Sequence, residues 1–203
     1  MLSQILKRIH EPIYKYRLGV LSEMIFPFLA EGDKVLDIGC GGGRLGEMIL
    51  KSSKCPENLK YTGIEKLPRG GEPIEVIEYD GNKLPMEAES FDVVILADVL
   101  HHEKNPLQLL KEGGRVSKKR VIIKDHKKDF IFDQLRISIL DSMANKPHGI
   151  ECIYKYYTLN EWHRIIAEAK LNIEKEQLAI NLYQWFFNII FGQNLQYFCV
   201  CIK

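Results

Sequence analysis

Lys34-Val35-Leu36-Asp37-Ile38-Gly39-Cys40-Gly41-Gly42-Gly43 is the stretch on which the reading of this chain turns. An apolar run rich in β-branched residues breaks directly into glycines, and Leu45, Met48, Ile49 and Leu50 then follow at helical spacing. A strand, a glycine loop and a helix in that order place flexible backbone at the carboxyl end of the strand, where open α/β sheets bind their ligands. Gly32-Asp33 supplies the turn that precedes it.

Outward from this unit the chain alternates between strand and helix. Residues 59–64 and 74–79 read as strands, separated by a proline- and glycine-broken stretch at 68–73 that suits no good helix. Residues 91–97 form a nearly continuous apolar run, as a strand covered on both faces would, and 121–123 a shorter one. Between them 106–112 reads as a helix ended by Gly113-Gly114, and Ile131, Leu135, Ile139 and Met143 give helical spacing over 130–143. Thr158 with Glu161 makes a capping box for a helix through Ala169, and 171–180 and 195–202 close the chain as strands. The first thirty residues read as one or two amphipathic helices broken near Pro12. The expected fold class is α/β: a doubly wound, mostly parallel seven-stranded sheet with an antiparallel edge hairpin and helices on both faces. No linker separates two cores, so one domain is expected over 1–203. Its parts are a helical extension at 1–30, a ligand-binding core at 33–126, and substrate-side helices and closing strands at 127–203.

The 203 residues, 46% hydrophobic and 27% charged, suffice for a substantial core and exclude a disordered chain. With 28 basic against 27 acidic side chains, the net charge of +1 gives no global attraction to nucleic acid or an anionic membrane. Five cysteines without a C-x-x-C pair suggest neither a disulfide scaffold nor a zinc ribbon. No run reaches the roughly 18 apolar residues of a spanning helix, and the expected location is cytoplasmic.

Charge placement narrows the ligand. Asp37 ends the first strand, Glu65 the second, and Asp80 and Asp98 follow the third and fourth, so a parallel sheet gathers four acids on one edge. Such an edge repels a pyrophosphate and favours a cationic ligand with a hydroxyl pair. The G-x-G-x-x-G spacing of dinucleotide sites is met only by Gly41, Gly43 and Gly46, two residues late.

The set formed by Val35–Gly43, Glu65, Asp80-Gly81 with Leu84-Pro85, Ser90-Phe91-Asp92-Val93-Val94 and Val99-Leu100-His101-His102 resembles the class I S-adenosylmethionine-dependent methyltransferases, in particular their small-molecule type 11 group. The likeness is strong over 33–126. It implies a Rossmann-like sheet that binds S-adenosylmethionine and releases S-adenosylhomocysteine. Asp37 is expected among the cofactor-binding residues; Gly39, Cys40 and Gly41 would cradle the methionine part, Glu65 would accept the ribose hydroxyls, and Asp80 with Gly81 would meet the adenine. Ala97 and Asp98 would lie near the methionine end. The missing helix at 66–72 departs from the family and implies a shallower adenosine side.

Methyl transfer is an in-line displacement at an activated carbon, so the enzyme needs at most a base for the acceptor's proton. His126, just past the fifth strand, and His102 lead as candidates, with His101 and His148 behind them. No metal is expected: Pro106 spoils H-E-x-x-H after His102, and Asp98 with Asp125 would offer only two oxygens. Neither an Asp/Asn-Pro-Pro-Tyr nor a Pro-Cys motif occurs, which argues against nucleic-acid substrates. The expected substrate is a small, apolar acceptor, and the expected state a monomer or homodimer. An NAD(P)-dependent oxidoreductase and a non-catalytic S-adenosylmethionine-binding module stand as alternatives. The aromatic stretch 185–191 reads first as core packing. An apolar wall for the acceptor, a dimer surface and, with Lys7, Arg8, Lys15 and Arg17, peripheral membrane contact are its other readings.

Overall fold

The computed structural model describes residues 2–145 and 153–203; His148 and the side chains of Lys7 and Arg8 lie outside the described residues. The helices are α1 (Leu2–Ile25), α2 (Arg44–Leu50), α3 (Pro106–Val116), α4 (Asp133–Asn145), α5 (Leu159–Glu168) and α6 (Trp185–Phe191). The strands are β1 (Lys34–Ile38), β2 (Lys60–Glu65), β3 (Glu75–Glu78), β4 (Phe91–Ala97), β5 (Ser117–His126), β6 (Asn172–Gln177) and β7 (Gln196–Ile202). They form one sheet in the order β3-β2-β1-β4-β5-β7-β6, parallel except that β7 runs antiparallel to both of its neighbours. The expected doubly wound, mostly parallel sheet is therefore present, with β7 inserted between β5 and the edge strand β6.

Strand periodicity divides the core in two. Leu36, Ile38, Val94, Leu96, Val121 and Ile123 face one way and pack with Leu109 and Leu110 of α3 and Trp162, Ile165 and Ile166 of α5. Val35, Val93, Ile95 and Ile122 face the other way and meet Leu18, Leu21 and Ile25 of α1 and Leu45 and Ile49 of α2. Both faces are thus shielded, as the apolar runs of the central strands require.

Several local expectations are corrected. Helix α1 continues through Pro12, because burial of Leu18, Leu21 and Ile25 outweighs the lost backbone bond. Gly113 and Gly114 lie inside α3. A Cβ on them would stand 3.4 Å from Leu96 and from Leu171, an ordinary contact, and the helix runs on through both to Val116. Helix α4 starts at Asp133, whose carboxylate accepts the backbone N–H groups of Asp129 and Phe130 and holds the preceding turn. Strand β5 extends well past 121–123, and its polar end, Lys124, Asp125 and His126, pairs with Phe198, Tyr197 and Gln196 of β7. The stretch 185–191 is helix α6, and core packing fails for Trp185, Phe186 and Ile189, which are 77%, 52% and 64% exposed. Phe187 and Phe191 alone of its aromatics pack against the core.

Candidate functional site

The glycine loop joins β1 to α2 at the carboxyl edge of the sheet. Gly39, Gly41 and Gly43 have φ of 70°, 55° and 69°, a left-handed conformation that side chains disfavour. A Cβ on Gly39 would lie 2.9 Å from the Cβ of Val99, whereas one on Gly41 or Gly42 would meet only the tip of Arg69 at 3.7 Å. The loop is therefore tight at its base and open at its crest. Cys40 turns its sulfur onto β2, where a Cβ on Gly63 would lie 2.5 Å from it, so Cys40 offers the loop only backbone. Burial pushes its thiol pKa up, so it is no nucleophile.

The four acids do not form the uncompensated row expected of them. Asp37 is buried beneath the loop and accepts the Tyr61 hydroxyl at 3.0 Å; burial pushes its pKa up to about 7. Glu65 accepts the N–H of Gly41 and of Lys66, each at 2.8 Å, and so fastens the loop to the end of β2. Asp80 is held low by the Asn82 N–H and amide in an exposed turn. Asp98, with φ of 54°, is paired by Arg17 of α1 and by Lys124 of β5. The side chain of Lys66 passes over Gly81 and reaches Glu103 at 2.5 Å. Of the four acids, Asp98 is met by cations, and the other three by hydroxyl and N–H donors.

Beside Asp98 a second group of polar side chains fills the edge between β4, β5 and α4. His101 is 1% exposed, and its Nδ1 lies 2.6 Å from Asp125, which also accepts the N–H of Leu100 and of His126. Burial opposes charge on His101, but Asp125 and Asp141 outweigh it and raise its pKa to about 9. Asp141 of α4 accepts the Tyr156 hydroxyl at 2.9 Å and stands near both His101 and His102. The rings of His101 and His102 are tilted against each other at 4.0 Å, and that of His126 meets His101 at 5.1 Å. Burial, Lys124, His101 and Arg17 together push the His126 pKa well below its usual value, which keeps this imidazole neutral. Its Nε2 is 3.7 Å from Asp98 and its Nδ1 is buried with no hydrogen-bond partner. The His126 carbonyl accepts the indole N–H of the fully buried Trp162, which stacks on Tyr197, so packing under α5 fixes the end of β5.

The structure thus brings together Gly39, Cys40, Gly41, Glu65 and Gly81 on one side of the edge, and Ala97, Asp98, His102 and His126 on the other. Asp80 is turned into solvent and Asp37 lies below the loop. Sequence reasoning placed His101 behind its neighbours and missed Asp141 and Tyr156. The Lys124-Asp125-His126 triplet beside apolar 121–123 was the available sign that the strand runs on into buried charge.

An open α/β sheet with a glycine loop at its first crossover, fastened by an acid from the second strand, is an arrangement in which such sheets bind nucleoside ligands. Residues 36–123 match the family described as methyltransferase domain. A ubiquinone biosynthesis O-methyltransferase of Cereibacter sphaeroides is 26% identical over 174 residues, covering 78% of this chain and 68% of that protein. One of Vibrio vulnificus is 35% identical over 107 residues, covering 42% of each. In fold, the chain is similar to a SAM-dependent methyltransferase of Aquifex aeolicus, with a TM-score of 0.64, 20% identity and 97% of each chain covered. It is also similar to one of Methanosarcina mazei, with a TM-score of 0.62, 19% identity and 89% and 96% covered. Residues 36–123 thus resemble the methyltransferase domain of these S-adenosylmethionine-dependent enzymes, and the chain shares their fold. The nicotinamide and non-catalytic alternatives are not favoured. Among the described residues, no helix is long and apolar enough to cross a membrane.

Proposed function

We propose that this chain, acting in the cytoplasm as one methyltransferase unit, methylates an oxygen of a small, apolar acceptor. The observation that carries the reading is His126: a neutral, buried imidazole with an unpartnered Nδ1, on the edge next to Asp98. Bound S-adenosylmethionine supplies a methyl group on a sulfonium, open to in-line attack.

The residues present fit that cofactor, since the crest of the loop has room where Gly41 and Gly42 lack side chains. The backbone of Gly39, Cys40 and Gly41 would hold the methionine part. Glu65 keeps lone pairs for a hydroxyl pair beyond the two amides it already accepts, because an ionised carboxylate has about four acceptor sites. Asp80 with Gly81 would bound the adenine, and Ala97 with Asp98 the methionine end. Asp98 is already neutralised by Arg17 and Lys124, so its role is to fix these two cations at the edge.

His126 would take the proton of the acceptor hydroxyl as the oxygen attacks, and His102, the other histidine considered for that role, lies one ring further out. A weakly basic imidazole suits an acidic hydroxyl, such as a phenol, better than an aliphatic one. Apolarity of the acceptor is supported by the exposed Phe130, Ile131 and Phe132 before α4 and by Trp185 and Ile189 of α6, a helix bonded to α4 through Arg136. The relatives named for ubiquinone O-methylation support an oxygen as the accepting atom.

The test is turnover of a panel of phenols with radiolabelled methyl donor, comparing the protein with His126→Asn. Expected are O-methylated products and a fall in kcat of about a hundredfold or more, with S-adenosylhomocysteine affinity unchanged. Full turnover in the variant would remove His126 from the mechanism, and methylation only at nitrogen would overturn the choice of acceptor atom.

A further inference from the structure

We propose that His101, His102 and Asp141 bind a divalent first-row transition ion such as zinc, leaving one coordination position open. One donor atom from each of the three lies within 4.8 Å of the others. Asp141 Oδ1 is 3.5 Å from His101 Nε2 and 3.4 Å from His102 Nε2. A tetrahedral zinc ion with bonds of about 2.0–2.1 Å has donors about 3.4 Å apart, which those separations match. The other contacts of the same cluster are much shorter: 2.6 Å from Asp125 to His101 and 2.9 Å from Tyr156 to Asp141. Two donor pairs thus stand at the spacing of a coordination shell, while their supports are at hydrogen-bond distance.

Those supports have the arrangement that orients metal ligands. Asp125 Oδ1 accepts the Nδ1–H of His101, which fixes the tautomer whose Nε2 faces Asp141. The Tyr156 hydroxyl donates to Asp141 Oδ2 and so orients the carboxylate with Oδ1 toward both Nε2 atoms. The pieces come from different elements: His101 and His102 from the 3-10 turn after β4, and Asp141 from α4. Two imidazoles with one carboxylate suit zinc, cobalt or manganese, whereas magnesium or calcium would find a single oxygen. Ion binding at His101 Nε2 releases any proton held there to solvent. This set differs from the pair considered on sequence alone, Asp98 with Asp125, both of which are already engaged by Arg17, Lys124, His101 and backbone amides.

The open position would take an anionic oxygen of the acceptor. That use rests on the O-methyl reading above; ion binding itself does not.

The experiment titrates Co²⁺, and then Zn²⁺ in competition, into the chelator-treated full chain. Cobalt is followed by its visible absorption, and S-adenosylhomocysteine binding is measured on the same samples by calorimetry. Expected is one equivalent of Co²⁺ with an intense tetrahedral spectrum, displaced by Zn²⁺. In His102→Gln, at the least buried of the three ligands, and in Asp141→Asn, zinc affinity falls at least tenfold while S-adenosylhomocysteine still binds. No cobalt spectrum in a chain that binds S-adenosylhomocysteine, or zinc affinity unchanged in both variants, would overturn the site. Metal binding as expected in a chain that ignores S-adenosylhomocysteine would leave the site standing and remove the use assigned to it. Should Asp141→Asn fail to fold, His102→Gln decides.

Discussion

The glycine loop and the histidine cluster occupy the same edge of one sheet and are built in opposite ways. The loop is backbone: three left-handed glycines within five residues, one carboxylate to fasten them, and space where side chains are missing. The cluster is side chain: two histidines after β4, an aspartate and a histidine ending β5, an aspartate from α4 and a tyrosine before α5, nearly all removed from water. The first kind of site tolerates changes around it but no added Cβ at Gly39 or Gly43, where Val99 and Ile74 stand in the way. The second tolerates none of its partners being lost, because each carboxylate satisfies several buried donors at once.

The sharpest way to break this contrast is Asp125→Ala. It removes the acceptor of three hydrogen bonds and leaves His101 beside one carboxylate instead of two, and stability should fall by about 3–5 kcal/mol in urea unfolding. A loss below about 1 kcal/mol would show that the cluster is not an interdependent unit. Gly39→Ala should do less to the fold and more to the ligand. A left-handed alanine costs about 1–3 kcal/mol, and its Cβ presses on Val99. S-adenosylhomocysteine affinity should drop about tenfold or more, and unchanged affinity would mean that the loop is not the cradle.

The effect least visible at a single pH concerns Asp37, the buried acid on the loop's side. Its pKa rises from an ordinary 3.8 to about 7, so between those values the folded chain keeps a proton that the unfolded chain has lost. Stability contributed by this group is therefore highest near pH 4, falls as pH rises towards 7, and is level above it, by at most about 1.4 kcal/mol per pH unit. Asp37→Asn should abolish that fall, so its advantage in Tm over the parent should be larger at pH 8 than at pH 5. An equal difference at both would place the Asp37 charge outside the stability balance.

The same contrast explains what could be read in the sequence. The loop unit was legible because its elements are consecutive: β1 and β4 lie where the apolar runs put them, and Thr158 with Glu161 caps α5 as their spacing required. The cluster was half legible. His102 and His126 could be placed at strand ends, but Asp141 sits in a helix whose apolar spacing said nothing about a carboxylate facing inward. Tyr156 carried no local sign at all. The fifth strand was read as 121–123 with His126 past it, whereas Lys124, Asp125 and His126 continue it, their mutual pairing offsetting the cost of burial. The row of acids was legible as residues but not as charge, since Arg17, which neutralises Asp98, comes from a helix 81 residues earlier in the chain.

The position of β7 also sets an order of assembly. The edge strand β6 pairs only with β7, which follows it in the chain, and β5 gains its outer neighbour from the same late segment. As the chain is synthesised, Lys124, Asp125 and His126 therefore remain beside an open sheet margin until residues 196–202 arrive. Enclosing those charges is deferred to the last strand, when the groups that compensate them have already been made.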